Sequence, residues 1–325
     1  VSIINMASRT LTVLICTHNR SRLLLRTLHY LNMAQHPHGW QVDILVVTNA
    51  CTDNSQESLE QYREENTDGL PLSWIDEPTP GKSYALNRVL PLIDSELVAF
   101  VDDDHRVDSD YLANICVAAE DYPDAGLFCG RILPDWDGSE PAWVHETGAY
   151  RIYPLPVPRF DQGDAPLLLT PEIAIPGGGN LFLRVEWLSR TGPFSTDLGP
   201  TGHDLEGSED LDWVLRAQEL GAQLQYVPSV VQYHYVDLQR LKLGYLMKKA
   251  YKRTVTTTGL KAASGEGRVP RYLYRKLVEY MFFAMTALST DRRRFYLVRT
   301  AAALGEMKGH RQRRVAVKTM NDEIH

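Results

Sequence analysis

Short, continuous apolar runs alternate with helix-like segments over the first third of the chain. Residues 11–16, 44–47 and 97–101 form three such runs, each of strand length and without a polar face. Runs of this kind are typical of strands that are buried on both faces of a sheet. Alternation of such strands with helices predicts an α/β fold with a mostly parallel sheet and helices on both faces.

The segments between and after these runs have helical spacing. Leucines recur every three or four residues after Ser21, which is a predicted N-cap, and residues 55–65 and 82–92 are also compatible with helices. Further along the chain, a helical pattern covers residues 209–220 and a strand-like run covers residues 222–227. The ligand site of such a fold is expected beyond the carboxyl ends of the strands.

The last part of the chain differs from the rest in pattern and in charge. From Val236 onward the pattern is helical, with 20 Lys and Arg against 7 Asp and Glu, a net charge of +13. Residues 1–235 hold 14 against 34, a net charge of -20, and residues 136–171 are irregular and rich in Pro and Gly. We therefore predict a catalytic domain over residues 1–235 and a basic helical region over residues 236–325.

Composition excludes several classes of protein. A chain of 325 residues that is 44% hydrophobic buries a substantial core, so it is not disordered. The four cysteines lack the paired spacing of zinc or redox sites, and the longest apolar stretch, residues 277–288, is shorter than the roughly 20 residues of a membrane span. No segment has the pattern of a secretory signal. We expect a cytoplasmic protein, with the inner face of the membrane as an alternative location.

An acidic cluster, Asp102 to Asp104, follows the third apolar run directly and precedes His105. Adjacent carboxylates repel one another unless a cation or several hydrogen-bond donors balance them. Mg²⁺ and Mn²⁺ prefer oxygen ligands and are often held by one or two carboxylates together with substrate phosphates. The alternative is a solvated acidic turn before the next helix. The residues alone leave both interpretations open.

Four ordered motifs resemble those of the family 2 glycosyltransferases, which have the GT-A fold. They are residues 17–20 (Thr-His-Asn-Arg), 46–53 (Val-Val-Thr-Asn-Ala-Cys-Thr-Asp), 80–87 (Pro-Gly-Lys-Ser-Tyr-Ala-Leu-Asn) and the acidic cluster in the place of the DXD motif. The resemblance implies a nucleotide-sugar site made of Thr17, Asn19, Arg20, Thr48, Asn49, Asp53, Lys82, Asn87, Asp102 and Asp103. Many relatives carry an aspartate for the uracil ring where this chain has Thr48, so the nucleotide base stays open.

The downstream half also resembles the family, in residues 178–184, 192–194 and 208–213. The resemblance implies that Asp210, or as second choice Glu209, is the catalytic base, and that transfer inverts the anomeric centre. A carboxylate suits this role because it accepts the proton of the attacking hydroxyl. Without the motif, both acids are explained by the dipole of a helix N-terminus. The implied acceptor-side residues are Gly178, Gly179, Asn180 and Trp213.

His234 resembles the histidine with which many GT-A enzymes complete their metal site. The implied ligands of a Mn²⁺ or Mg²⁺ cofactor are Asp102, Asp104 and His234. A packed histidine in the protein core is the alternative.

The sequence thus predicts an inverting, metal-dependent glycosyltransferase that moves a sugar from a nucleotide diphosphate to a hydroxyl of a glycan or lipid-linked acceptor, in cell-surface polysaccharide or related synthesis. A sugar nucleotidyltransferase and a non-catalytic nucleotide- or carbohydrate-binding protein are the alternatives. The basic helix after Asp237 either contacts an anionic membrane or packs its apolar stripe against protein. Nucleic-acid binding is not expected, because the main domain is acidic.

Overall fold

The computed structural model describes residues 9–198, 209–261 and 269–322. Its contacts divide the chain into two compact units. The first unit comprises residues 1–135 and 158–235, and the second comprises residues 136–157 and 236–325. Residues 136–157, which the sequence analysis placed in the catalytic domain, therefore pack with the carboxy-terminal helices.

The first unit is built on a mixed sheet. Its strands within the described residues are β1 (Arg9–Thr17), β2 (Trp40–Asn49), β3 (Leu72–Glu77), β4 (Leu97–Phe100), β5 (His105–Val107), β6 (Leu127–Asp135), β7 (Leu167–Leu169), β8 (Leu181–Arg184) and β9 (Leu224–Tyr235). The order across the sheet is β3-β2-β1-β4-β8-β6-β9-β5, with β7 paired to β9. Strands β1 to β4 pair in parallel, whereas β8 runs antiparallel to β4 and β6.

The helices of the first unit alternate with the strands as predicted. They are α1 (Ser21–Met33), α2 (Ser55–Glu65), α3 (Lys82–Val89), α4 (Tyr111–Asp121), α5 (Glu186–Thr191) and α6 (Glu209–Glu219). The predicted α/β fold is confirmed. The N-cap prediction was wrong by one position: Arg20 is the N-cap of α1, and Ser21 is its first helical residue, where its hydroxyl donates to Asn54 Oδ1 at 2.9 Å.

Apolar side chains cover both faces of the sheet. Along β1, Leu11, Val13 and Ile15 belong to a core with α1 and α4, while Leu14 belongs to a second core with α3, α5 and α6. Alternation of side chains along a strand sends neighbours to opposite faces, which is why the run is apolar throughout. The charged and polar residues of this segment therefore lie mainly at the ends of the strand.

Five strands, β3, β5, β6, β7 and β8, have no counterpart in the sequence prediction. Strands β5 and β7 are three residues long, β3 lies at the sheet edge with a mixed apolar and polar pattern, and β6 contains Gly130 and Pro134. Short or interrupted runs give little periodicity, so pairing partners alone reveal them. The last strand, β9, extends from the predicted run up to Tyr235.

The second unit is helical. Its helices within the described residues are α7 (Leu243–Lys261), α8 (Arg271–Thr286) and α9 (Thr290–Asp322), and α9 packs against both α7 and α8. Leu246 and Ala250 of α7 are buried, so part of the apolar stripe predicted there is covered by protein. Among the helices in the described part of the chain, none combines the length and apolar character that a membrane crossing requires.

Candidate active site

The acidic cluster lies at the carboxyl end of β4. In the sheet, β4 pairs with β1 and β1 pairs with β2, so the cluster lies near the ends of these parallel strands. Asp103 and Asp104 are buried, while Asp102 keeps about a third of its side-chain surface exposed. The three carboxylates therefore have different surroundings and do different work. They are not a solvated turn.

Asp103 holds the cluster to the first strand loop. Its Oδ2 accepts a hydrogen bond from Thr17 Oγ1 at 2.7 Å, and Arg20 Nη1 lies 3.1 Å from its Oδ1. The same Arg20 nitrogen lies 3.0 Å from Asp104 Oδ2. Burial and repulsion by Asp104 raise the pKa of Asp103 to about 6, against the opposing effect of Arg20. Three residues that were expected to contact the nucleotide thus contact one another: Thr17 and Arg20 both donate hydrogen bonds to Asp103.

Asp104 faces two imidazoles. Strands β5 and β9 pair so that His105 stands opposite His234, with ring centroids 4.9 Å apart. Asp104 Oδ1 lies 3.9 Å from His105 Nε2 and 3.8 Å from His234 Nε2. Donor atoms of these three residues all lie within 4.8 Å of one another. Ligands at about 2.1 Å from one octahedral ion stand roughly 3 to 4.2 Å apart, so the set suits a single divalent cation.

Hydrogen bonds fix which nitrogen of each imidazole faces Asp104. The side-chain nitrogen of Gln232 donates to the Phe100 carbonyl at 3.2 Å, so its Oε1 is the group that contacts His105 Nδ1. His234 Nδ1 lies 2.6 Å from the carbonyl of Tyr235. Both acceptors require a proton on Nδ1, which leaves the lone pair on Nε2. His105 Nε2 is buried without a hydrogen-bond partner, as expected of a metal ligand.

Lys82 connects the acidic cluster to the predicted base. At the start of α3, its Nζ lies 3.1 Å from Asp102 Oδ1 and 3.6 Å from Asp210 Oδ2. Burial disfavours the ammonium, but Asp102, Asp210 and Glu209 outweigh this and raise the pKa of Lys82 well above its usual value. Burial likewise opposes ionisation of Asp102, yet the charge and the hydrogen bond of Lys82 hold the pKa of that carboxyl well below its usual range. The Lys82 ammonium thus lies between the side chains of Asp102 and Asp210.

Two glycines bring the backbone close to these carboxylates. The amide of Gly178 donates to Asp210 Oδ2 at 3.0 Å, and a Cβ at that position would lie 2.4 Å from Asp210 Cγ. A Cβ at Gly179 would lie 2.8 Å from Asp102 Oδ2. Side chains at either position would displace a carboxylate, so glycine is required here for close approach. Gly178 and Gly179 thus line the site between Asp102 and Asp210.

Glu209 has a different environment from Asp210. It is the first residue of α6 and only 2% exposed, and burial together with repulsion by Asp210 raises its pKa to about 7. A carboxyl group with a pKa of about 7 is about half ionised at neutral pH, so this pKa does not exclude Glu209 as a base. The contacts of Asp210 with Lys82 and with the Gly178 amide favour Asp210 over Glu209 on geometry. Ser208, which begins the acidic motif, lies outside the described residues.

The two predicted nucleotide loops are tied to each other. Asn19, whose φ is +53°, accepts through Oδ1 from the amides of Thr52 and Asp53 at 2.7 and 3.1 Å. Asp53 in turn accepts from the amides of Ser21 and Ser55 at 3.2 Å. Asn19 and Asp53 thus join the two loops through hydrogen bonds.

The polar groups of Asn49 are used inside the protein. Its amide nitrogen donates to the carbonyls of Glu77 and Thr79 at 3.2 and 2.7 Å, and its Oδ1 accepts from the amide of Gly81 at 2.8 Å. Asn49 is also buried and holds the segment that leads into α3, while its contact with the nucleotide stays a prediction.

Thr48 lies next to a carboxylate that the sequence analysis did not single out. It is fully buried, and its hydroxyl donates to Asp76 Oδ1 at 3.0 Å, which also accepts from Gln56 Nε2 at 3.0 Å. The Thr48 hydroxyl is thus used within the protein, and its contact with the nucleotide stays a prediction. Asp76 lies opposite Thr48 in the pairing of β2 with β3, so a carboxylate stands beside position 48.

Three further residues of the predicted site have partners within the protein, and their contacts with a ligand stay predictions. Trp213 is fully buried, stacks on Phe194 and donates to the Gly192 carbonyl at 2.8 Å. Asn180 is 1% exposed, and its amide nitrogen donates to the carbonyls of Arg131 and Val230. Asn87 exchanges two hydrogen bonds with the backbone of Phe194, at 2.9 and 2.8 Å. These side chains hold the sheet and the loop before α6.

His105 and Gln232 are the functional residues that sequence reasoning missed. His105 follows the acidic cluster directly and Gln232 lies two residues before His234, so both were adjacent to residues already singled out. Only the pairing of β5 with β9 places His105 beside His234. A buried glutamine among apolar strand residues was the available signal.

A family model for glycosyl transferase family 2 matches residues 12–192, more than half of the chain and most of the sheet just described. The chain belongs to glycosyltransferase family 2. The predicted family and enzyme class are thereby confirmed. The match covers Asp102, Asp104, His105 and Lys82, and ends before Asp210 and His234.

Individual relatives of this transferase agree with the family. Over 104 residues it is 29% identical to the beta-monoglucosyldiacylglycerol synthase of Nostoc sp., a stretch that is 32% of this chain and 22% of that protein. Over 256 residues it is 23% identical to the succinoglycan biosynthesis protein ExoM of Rhizobium meliloti, covering 78% of this chain and 75% of that protein. Since the chain spans about a fifth of the first relative's length, the reaction, substrates and partners are proposed below.

Solved structures show the same fold. The mannosyltransferase PcManGT of Pyrobaculum calidifontis in complex with GDP-Man and Mn²⁺ has a TM-score of 0.54 at 18% identity, covering 96% of this chain and 87% of that chain. S. aureus TarS 1–349 in complex with UDP-GlcNAc has a TM-score of 0.55 at 14% identity, covering 96% and 92%. At this identity the likeness concerns the fold alone, and it confirms the predicted GT-A architecture.

Proposed function

We propose that this transferase moves a sugar, with inversion at the anomeric carbon, from a nucleotide diphosphate donor to a hydroxyl group of a glycan or lipid-linked acceptor. The observation that carries the proposal is the position of Asp210, held by the Gly178 amide and by Lys82, which also bonds Asp102 of the acidic cluster. The proposed base, Asp210, and Asp102 of the proposed diphosphate site thus lie on either side of the Lys82 ammonium.

The proposed chemistry needs little beyond these groups. The acceptor oxygen bonds to the anomeric carbon as its proton passes to Asp210, and the bond from the anomeric carbon to the diphosphate oxygen breaks with its electrons on the phosphate. Lys82 offsets negative charge on the departing diphosphate, because its ammonium is held in a largely buried position beside Asp102. A single displacement of this kind inverts the anomeric centre.

A divalent cation is proposed at Asp104, His105 and His234, with Asp102 at its edge. Asp102 Oδ2 lies 3.8 Å from His105 Nε2, and both imidazoles present unprotonated Nε2 atoms to the carboxylates. When bound, the ion would supply positive charge for the diphosphate oxygens. Two nitrogen donors favour a transition metal such as Mn²⁺ over Mg²⁺, which prefers oxygen.

The relatives support a chemical class for the donor and for the acceptor, but not the identity of either molecule. Two proteins of the same fold bind GDP-Man and UDP-GlcNAc, so both bases belong in the test. The names of two relatives concern a glycolipid and a polysaccharide, which supports a glycan or lipid-linked acceptor. Of the alternatives, a sugar nucleotidyltransferase is disfavoured by the family match. A non-catalytic binding protein would not need Asp210 in its present place.

A thermal-shift screen tests the donor and the metal together. UDP, GDP, UDP-GlcNAc and GDP-Man are added with Mn²⁺, with Mg²⁺ or with EDTA, because a ligand that binds the folded state raises its melting temperature. We expect a shift with at least one nucleotide that is larger with Mn²⁺ than with Mg²⁺ and absent in EDTA. No shift with any nucleotide under any metal condition would remove the basis for the proposed reaction.

Peripheral membrane contact is proposed for α8 instead of α7. Apolar side chains recur on α8 at helical spacing and are exposed, with Val278 at 67%, Phe282 at 56% and Met285 at 74%. Arg271 and Lys276 lie on the same helix, in a region of net charge +13. An exposed apolar stripe beside cations suits an anionic lipid surface, where apolar side chains enter the interface and cations meet phosphates. The expected cytoplasmic location stays a prediction.

A further inference from the structure

A pocket in the second unit is separate in sequence from every residue of the proposed active site. It has a volume of about 170 Å³ and opens among residues 151–156, α7 and α9. Its inner lining is aliphatic: Leu155, Leu246, Ala250, Val298 and Ala302. Leu246 and Ala250 are buried, so this lining is continuous with the packing of α7 against α9.

The edge of the same pocket is cationic. Four cations line it: Arg151, Lys249, Arg253 and Arg299. No carboxylate is among its lining residues, and no ion pair within the described ranges includes any of the four. Arg299 lies 5.0 Å from the ring of Phe295, so its described partner is an aromatic face and not an acid. We call these residues and their aliphatic lining the cationic pocket.

The cations act unfavourably on one another. Burial, followed by repulsion from Arg240 and Arg253, lowers the pKa of Lys249. Lys249 and Arg253 are one helical turn apart on α7, where like charges destabilise each other. An anion between them would reverse this repulsion and accept charge-assisted hydrogen bonds. Arginine adds a forked donor that matches phosphate oxygens.

We propose that the cationic pocket binds the phosphate group of an amphiphilic molecule, with the adjoining hydrocarbon chain against the aliphatic lining. A free phosphate ion would use the cations but leave the lining unused, whereas a neutral lipid would leave the cations without a partner. A chain with a phosphate at its end matches both parts of the pocket. The proposal does not require the transfer reaction described above.

The test uses short-chain probes that stay monomeric in solution. Binding of dihexanoyl phosphatidic acid, dihexanoylglycerol and inorganic phosphate to the full chain is measured by isothermal titration calorimetry. We expect one site for dihexanoyl phosphatidic acid, about tenfold or more weaker binding of inorganic phosphate and no binding of dihexanoylglycerol, since each of these lacks one part of the match. Equal affinity for inorganic phosphate would reduce the site to a phosphate site and overturn the amphiphile assignment.

Matched variants assign the binding to this pocket. Lys249→Gln with Arg253→Gln is expected to weaken dihexanoyl phosphatidic acid by about tenfold or more. The control, Lys248→Gln with Lys252→Gln, removes two exposed charges from the preceding positions of α7, outside the pocket lining, and is expected to bind as the parent does. Equal losses in both variants would mean unspecific attraction to a basic helix, which contradicts the proposal.

One further measurement separates this proposal from the proposed reaction. The pocket variant should keep the metal-dependent stabilisation by nucleotides, since its changes lie in the second unit. If the pocket variant keeps nucleotide binding and binds phosphatidic acid as the parent does, the proposal for the cationic pocket is refuted and the proposed reaction is not. If the pocket variant loses both nucleotide binding and phosphatidic acid binding and has a lowered melting temperature, Ala302→Leu tests the pocket independently. That change reduces the aliphatic space and should weaken only the amphiphile.

Discussion

Gln232 contacts Nδ1 of His105 through its side-chain oxygen, and this contact decides which nitrogen of the imidazole faces Asp104. The orientation of Gln232 is itself fixed, because its amide nitrogen lies 2.7 Å from Tyr111 Oη and 3.2 Å from the Phe100 carbonyl. A buried amide on β9 thus orients His105 on β5 as the proposed cation site requires. The groups that orient a metal ligand often have a strong effect on metal affinity.

Replacing Gln232 by Met should weaken Mn²⁺ binding by about 10- to 100-fold, because His105 is then free to place its proton on Nε2. Isothermal titration with Mn²⁺, on protein shown to be folded by circular dichroism, measures the change. Tyr111→Phe is the control: it removes another hydrogen-bond partner of Gln232 but leaves the contact with His105. Unchanged Mn²⁺ affinity in Gln232→Met would show that His105 is not a ligand.

Asp210→Asn should lower kcat by about 10²- to 10⁴-fold, since an amide cannot accept the proton of the acceptor hydroxyl. Stabilisation by nucleotide and Mn²⁺ should persist, because the proposed metal ligands are untouched. Asp212→Asn is the matched control on the same helix, where Asp212 pairs with Arg216 at 2.9 Å, and it should keep most of the activity. A large loss in Glu209→Gln with activity retained in Asp210→Asn would transfer the role of base to Glu209.

The pKa of Glu209 predicts a dependence of stability on pH. Since folding raises this pKa from its ordinary value to about 7, the protonated form is favoured in the folded state. The resulting stabilisation is complete below about pH 4.5 and is lost as the pH rises through 7. One pKa unit corresponds to about 1.4 kcal/mol, so the whole effect is on the order of 3 kcal/mol.

Melting temperatures of the metal-free protein between pH 4.5 and 8 check this expectation. Relative to Glu209→Gln, which cannot ionise, the parent should lose stability across this range. Glu219→Gln, an exposed position at the end of the same helix, should follow the parent curve. If the parent and Glu209→Gln curves stay parallel, the pKa of Glu209 is not raised by folding.

The exposed stripe on α8 predicts binding to anionic vesicles. The parent should sediment with phosphatidylglycerol vesicles at low ionic strength and be released as salt is added, because screening weakens the attraction of the cations. Phe282→Ser with Met285→Ser should reduce the bound fraction at every salt concentration. Leu92→Ser with Val117→Ser changes two equally exposed apolar residues of the first unit and should have no effect.

Light scattering in solution tests an alternative role for the stripe on α8, which is an interface between two copies of the chain. If the parent is a dimer that Phe282→Ser with Met285→Ser converts to a monomer, while vesicle binding is absent, the stripe is an interface between two copies of the chain. That result would contradict the membrane assignment. A monomeric parent with salt-sensitive vesicle binding supports it.

The sequence by itself determined the strands that are apolar on both faces, the helices between them and the family. Uninterrupted apolar runs bounded by polar residues are a local property, so strands β1, β2 and β4 and the acidic cluster after β4 could be identified without coordinates. The motif around Asp210 was identified in the same way. The tertiary structure places Asp210 next to Lys82, which the sequence put more than a hundred residues away.

Tertiary structure decided which polar side chains face the site and which are used inside the protein. Asn49, Asn180 and Trp213 belong to motifs yet are buried, because a motif does not reveal where its side chains point. His105 stands beside His234 only through the pairing of a three-residue strand with β9, and residues 136–157 pack with helices that follow a hundred residues later. Such contacts join distant parts of the chain, and no local periodicity encodes them.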